Sequence, residues 1–158
     1  MGHEIVFDTE FMEDGRTIDL LSIGMVRDDG ETYYAELEAD YSKAHPWVVE
    51  NVILYLNDEP RPKAQVAKEI REFVGEHPMF WAYYADYDWV ALCQLYGRMI
   101  DLPETWPMYC RDIKQLYDEV GGNKPADPEN EHHALADAQW GMDFLKLLKA
   151  RQNKVFDG

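Results

Sequence analysis

Three apolar runs separated by turn residues occupy the start of the chain, and they leave few folds open. Ile5-Val6-Phe7 is a short apolar run bounded by polar residues, as expected of a buried strand. Asp14-Gly15 reads as a turn, and Ile18 to Val26 is a second run rich enough in Leu and Ile for a central strand. Asp28-Asp29-Gly30 is a strong turn signal, so the runs on either side of it predict a hairpin. Thr32 to Leu37 alternates and carries two aromatics, which suits a third strand.

The remainder reads mostly as helix. Residues 46–56 predict a short helix that Pro60 and Pro62 close off. Lys63 to Val74 places Val66, Ile70, Phe73 and Val74 at helical spacing. Met79 to Tyr84 predicts a fourth strand. Asp88 to Met99 predicts a buried helix that Asp86 or Asp88 caps. Asp112 to Val120 predicts a helix ended by Gly121-Gly122, and Asn123 to Glu131 a polar loop. His132 to Ala150 predicts the last helix. The expected architecture is α/β: a mixed sheet whose first three strands are antiparallel, with helices on both faces. One domain over residues 1–150 and a C-terminal tail over 151–158 complete the expectation.

The 158 residues suffice for a core without staples, and 46% hydrophobic residues exclude a disordered chain. Cys93 and Cys110 lack metal-type spacing and read as free thiols of a reducing compartment. Neither a signal-peptide pattern nor an apolar run long enough to span a bilayer is visible, so a cytoplasmic protein is expected. The net charge of −16 opposes any broad grip on duplex nucleic acid. A polyanionic partner would have to be met locally, at short range.

Asp8 and Glu10 are two residues apart at a strand end, so the pleat puts both side chains on one face and Thr9 on the other. Carboxylates that close repel each other unless cations lie between them, and hard oxygen donors suit Mg²⁺ or Mn²⁺. Alone, the pair also reads as surface acids. Asp88 alone reads as a helix cap, with Asp86 as its rival at the same junction. His132 and Asp137 lie five apart at the start of the last helix, where an acid also complements the helix dipole.

In this order the residues resemble the DEDD exonucleases of the ribonuclease-H-like superfamily. Asp8-Thr9-Glu10-Phe11 is similar to the family's first motif. Ala82-Tyr83-Tyr84-Ala85-Asp86-Tyr87-Asp88-Trp89-Val90-Ala91-Leu92 resembles the second, with Tyr84 where the family has Asn. That match selects Asp88 over Asp86. His132, five before Asp137, resembles the histidine-bearing subgroup, with His133 as the alternative. The small size and the stretch from Asp88 to Gly97 look most like small bacterial polyadenylate-specific 3′-exoribonucleases.

The resemblance implies that Asp8, Glu10, Asp88 and Asp137 hold two divalent cations, Mg²⁺ or Mn²⁺. It implies that His132 acts as general base, with Glu10 helping to orient the water. Thr9, Phe11, Met12, Trp47 and Trp89 are the expected substrate contacts, using backbone amides and ring stacking. The expected reaction is 3′-5′ hydrolysis of single-stranded RNA to nucleoside 5′-monophosphates. Single-stranded DNA, very short oligoribonucleotides, or binding without cleavage are the rival readings. A glycosidase is disfavoured because Asp8 and Glu10 share one strand end, and an Asp-x-Asp phosphatase because Glu10 replaces the second Asp. The resemblance also allows a homodimer, with Tyr33, Tyr34 and Trp106 read as exposed aromatics.

Overall fold

The computed structural model describes residues 2–129 and 132–157. Its centre is a five-stranded sheet of order β3-β2-β1-β4-β5. Strand β1 (Glu4–Glu13) pairs antiparallel with β2 (Ile18–Arg27), which pairs antiparallel with β3 (Thr32–Glu36). On the other side β1 runs parallel to β4 (Met79–Ala82), and β4 parallel to β5 (Arg111–Asp112). The three antiparallel strands stand as expected. β1 extends well beyond its apolar run because the ladder to β2 continues to the pair Glu13–Ile18 and satisfies the backbone of the acidic end. The two-residue β5 is invisible to hydrophobic patterning.

Helices cover both faces. α2 (Lys63–Val74) and α3 (Ala85–Gln94) bury Val66, Ile70, Val74, Ala91 and Leu92 against Ile5, Phe7, Ile23 and Phe80. α4 (Ile113–Val120) and α5 (Ala134–Asp157) bury Ile113, Leu116, Phe144, Leu145 and Leu148 against Val6 and Val26 on the opposite face. The alternation of Ile5, Val6 and Phe7 between these two cores is the pleat at work. A smaller cluster of Met12, Leu21 and Val52 seats α1 (Pro46–Asn51) beside the end of β1.

Several boundaries differ from the sequence expectation. Residues 46–56 split into α1 and a 3₁₀ turn over Ile53–Tyr55. α3 starts at Ala85, and its N-cap is Tyr84 in a left-handed conformation (φ 56°), so neither Asp86 nor Asp88 caps it. α3 also stops at Gln94, where the amides of Leu95 and Tyr96 turn to carbonyls three residues back and Gly97 takes φ 112°. α5 starts two residues later than expected and runs on through the residues expected as a tail, to Asp157. The polar loop is described as far as Glu129 and has no regular structure there; the rest of its expected span lies outside the described residues. Trp106 is buried against Phe80 and Tyr96, while Tyr33 and Tyr34 are half-buried and hydrogen-bonded to Glu69 and Glu36. None of these three rings is an exposed aromatic.

Candidate active site

The carboxylates meet where the two sides of the sheet come together, at the C-terminal halves of the parallel strands. Asp8 and Glu10 project from one face of β1, and Thr9 is buried on the other. A register shift between Glu10 and Phe11 ends the regular pleat just after the second acid. Asp137 enters from the first turn of α5, where its charge faces the positive end of the helix dipole. Ligand atoms of Asp8, Glu10 and Asp137 all lie within 4.8 Å of one another.

Asp88 arrives from α3, on the other face. Its Oδ1 accepts the Thr9 amide at 3.2 Å and also the Thr9 hydroxyl. Thr9 is therefore the hinge of the site: its neighbours carry two acids on one face, while its own amide and hydroxyl hold the acid that reaches over from the other. Sequence reasoning named the backbone amides near Thr9 as substrate contacts; the amide of Thr9 itself, like its buried hydroxyl, donates to Asp88.

Crowding of these acids disfavours their ionised forms. Burial, then the charges of Asp88, Glu10 and Asp137, raise the Asp8 carboxyl well above the ordinary aspartate range. Burial, then Asp137 and Asp88, push Glu10 up to about 9. Burial raises Asp88 to about 7 even though the two bonds from Thr9 act in the opposite direction. Asp8 Oδ2 is shut off from solvent and lacks a hydrogen-bond partner among the described residues. Such an atom costs free energy unless something positive meets it. An orphaned carboxylate oxygen, all-oxygen donors and mutual repulsion together fit a hard divalent cation. Asp8, Glu10 and Asp137 are the residues that would hold it first.

The two histidines are placed differently. His132, at φ 68°, lines a cavity of about 190 Å³ together with Asp8, Asp137, Tyr83, Lys124 and Trp140. Its ring lies edge-on to Trp47 with centroids 5.3 Å apart. His133 turns away: it stacks on Tyr34 at 4.8 Å, and its Nδ1 accepts the Ala136 amide at 3.5 Å at the start of α5.

The expected substrate contacts divide as well. Trp47 is 50% exposed beside His132, and Phe11 lies against the exposed Tyr87 with centroids 6.0 Å apart. Met12 is buried in the cluster with Leu21 and Val52, so its side chain does not face the site. Trp89 is partly buried and packs against the main core on Phe80, with ring centroids 5.3 Å apart. Tyr84 is exposed in the left-handed region, and its amide donates to Asp112 Oδ1 at 3.0 Å. Few residues other than Gly, Asn and Asp take that conformation readily.

Sequence reasoning missed Gly24 altogether. A Cβ on Gly24 would sit 2.4 Å from Leu135 Cα and N and 2.6 Å from Ala134 C, so the first turn of α5 rests directly on the β2 backbone. An apolar strand interrupted by one Gly was the available signal.

A mixed sheet of this order gathers carboxylates from β1, α3 and α5 at one end, a donor set of the kind metal-dependent hydrolases use. Across residues 3–148 the chain matches the model of the 3′-5′ exoribonuclease Rv2179c-like domain, and it belongs to that family. It is 40% identical over 152 residues to the 3′-5′ exoribonuclease Rv2179c of Mycobacterium tuberculosis H37Rv, covering 90% of each chain. It has the same similarity to 3′-5′ exoribonuclease MT2234.1 of M. tuberculosis CDC 1551. Among solved structures, E. coli exonuclease I in complex with a dT13 oligonucleotide superimposes with a TM-score of 0.75 at 16% identity. That match covers 99% of this chain but 43% of exonuclease I, so the likeness is one of fold to less than half of a larger protein.

Proposed function

We propose that the chain is a divalent-metal-dependent 3′-5′ exoribonuclease acting on single-stranded RNA. The observation that carries the reading is the mutually repelling set of the partly buried Asp8, Glu10 and Asp137 and the buried Asp88, with an orphaned oxygen on Asp8 and with His132 lining a cavity together with Asp8 and Asp137. The names of the curated relatives favour RNA as substrate.

Asp8, Glu10 and Asp137 would hold one cation, and Asp8 with Asp88 a second, Mg²⁺ or Mn²⁺. When bound, the cations neutralise charge on the phosphate and on the attacking and leaving oxygens. Thr9 keeps Asp88 in place, so that acid is fixed before substrate arrives. His132 takes a proton from the attacking water, a task open to the free ring nitrogen of a neutral imidazole. The water oxygen bonds to phosphorus, the bond to the 3′-oxygen breaks, that oxygen takes a proton from solvent water, and His132 returns its proton to solvent. The products are a nucleoside 5′-monophosphate and a strand shortened at its 3′ end.

Trp47 and Phe11 flank the terminal base by stacking, a mode of recognition that needs unpaired bases and little positive charge. This suits a chain of net charge −16. The test incubates 5′-labelled single-stranded RNA and DNA of one sequence with Mg²⁺, Mn²⁺ or EDTA, beside Asp88→Asn. A metal-dependent ladder shortening from the 3′ end of RNA, absent in the variant, is expected. Shortening of DNA alone would keep the chemistry and replace the substrate. No cleavage of either in any metal would favour a binding domain without catalysis.

A further inference from the structure

Asp8, Gly24 and Tyr34 stand side by side across β1, β2 and β3, since Asp8 pairs with Gly24 and Gly24 with Tyr34. Each member of this row meets the start of α5. The Asp8 and Asp137 carboxylates approach each other. The Gly24 backbone touches Ala134 and Leu135 at distances that leave no room for a side chain. The Tyr34 ring stacks on His133 with an interplanar angle of 18°.

Tyr34 is itself fixed. Its hydroxyl donates to Glu36 Oε2 at 2.5 Å, and the buried Glu36 also accepts the amides of Asn57 at 3.3 Å and Asp58 at 2.7 Å. His133 carries this constraint to its neighbour His132, which holds a left-handed backbone that a non-glycine residue keeps only when its surroundings impose it.

We propose that Gly24 and Tyr34 are positioning residues for phosphodiester cleavage: the bare backbone of Gly24 seats the first turn of α5, the Tyr34 ring seats His133, and together they set Asp137 and His132 against Asp8. The inference rests on the function proposed above. Neither residue touches the reacting atoms. A Cβ at Gly24 would meet backbone about 1 Å inside normal contact distance, and backbone cannot swing aside as a flexible side chain can. The first turn of α5 would have to lift, taking Asp137 with it, and a misplacement of about 1 Å at a catalytic group lowers the rate by roughly 100-fold.

The test measures kcat and KM on labelled single-stranded RNA and titrates Mn²⁺ alone by calorimetry, for the wild type, Gly24→Ala, Tyr34→Leu and Tyr34→Phe. Gly24→Ala is expected to lose about 100-fold in kcat and to bind Mn²⁺ more weakly. Tyr34→Leu removes the stack and is expected to lose roughly 10-fold in kcat with KM unchanged. Tyr34→Phe keeps the ring and loses only the bond to Glu36, so its kcat should lie between those of the wild type and Tyr34→Leu, which separates the stack from the anchoring by the hydroxyl. Equal kcat for Tyr34→Leu and Tyr34→Phe overturns the role of Tyr34, and wild-type kcat and Mn²⁺ affinity in folded Gly24→Ala overturn the role of Gly24. If Gly24→Ala does not fold, the Tyr34 pair decides. If the wild type cleaves nothing, the proposed function fails by itself, and the Mn²⁺ titration of Gly24→Ala still decides the seat.

Discussion

Replacing Glu10 by Gln should stabilise the metal-free protein while weakening its metal site. Glu10 titrates at about 9 in the fold, against an ordinary value of 4.5, because it is buried and lies beside Asp137 and Asp88. Between those two pH values the folded state keeps a proton on Glu10 that the unfolded chain has released. The folded state thus binds more protons, so stability is full below pH 4.5 and falls as pH rises toward 9. At pH 7 the solution lies about 2.5 pH units above the ordinary value, and each unit corresponds to about 1.4 kcal/mol. The metal-free fold therefore gives up about 3 kcal/mol at this residue, trimmed to about 2 kcal/mol by the solvent that reaches it. Glutamine keeps the shape and removes the titration. For a chain of this size 1 kcal/mol moves Tm by roughly 2–4 °C, so Glu10→Gln in EDTA at pH 7 should melt about 4–8 °C above the wild type. The gap should almost close at pH 5, where the unfolded chain also begins to take up the proton. Added Mn²⁺ should reverse the order, raising the wild-type Tm more than that of the variant. Thermal melts by circular dichroism at the two pH values, with EDTA or Mn²⁺, read all of this. A variant that melts at or below the wild type in EDTA at pH 7 would refute the reasoning that the site is held in electrostatic tension awaiting cations.

Other outcomes can be measured alongside. His132→Ala should lower kcat by about 10²–10⁴-fold; an unchanged kcat would remove His132 as the base. Trp47→Ala should raise KM for RNA by an amount equivalent to about 1–3 kcal/mol of lost base stacking with little change in kcat, and an unchanged KM would take Trp47 out of the substrate path. Thr9→Val should leave the buried Asp88 without its hydroxyl donor, lowering the denaturant-derived stability by about 1–3 kcal/mol and reducing kcat; a neutral effect on both would mean that Asp88 is held by something else.

The sequence alone determined the order of the first three strands and, through its resemblance to a known family, singled out four acids that the structure brings together. Apolar runs cut by Asp-Gly turns fix three neighbouring antiparallel strands, because short turns return the chain only to an adjacent position. A two-residue spacing on a strand puts Asp8 and Glu10 on one face whatever surrounds them. Helical spacing of Val66, Ile70 and Val74 likewise fixed α2, whose observed limits are those expected, Lys63–Val74.

Tertiary structure decided what depends on partners distant in sequence. Strand β5 has only two residues and exists through its pairing with β4, so no local pattern could announce it. Spacing favoured His132 over His133 without showing where either ring lies, and their separate environments, the cavity with Asp8 and Asp137 for one and the Tyr34 ring for the other, depend on strands about a hundred residues earlier in the chain. Trp89 and Trp47 look alike as candidate platforms, yet one is packed on Phe80 and the other stands open beside His132. The hook from Thr9 to Asp88 and the bare seat at Gly24 were likewise out of reach of spacing rules. Periodicity reports which face of its own element a residue occupies; which other element lies against that face is settled only when the whole chain has packed.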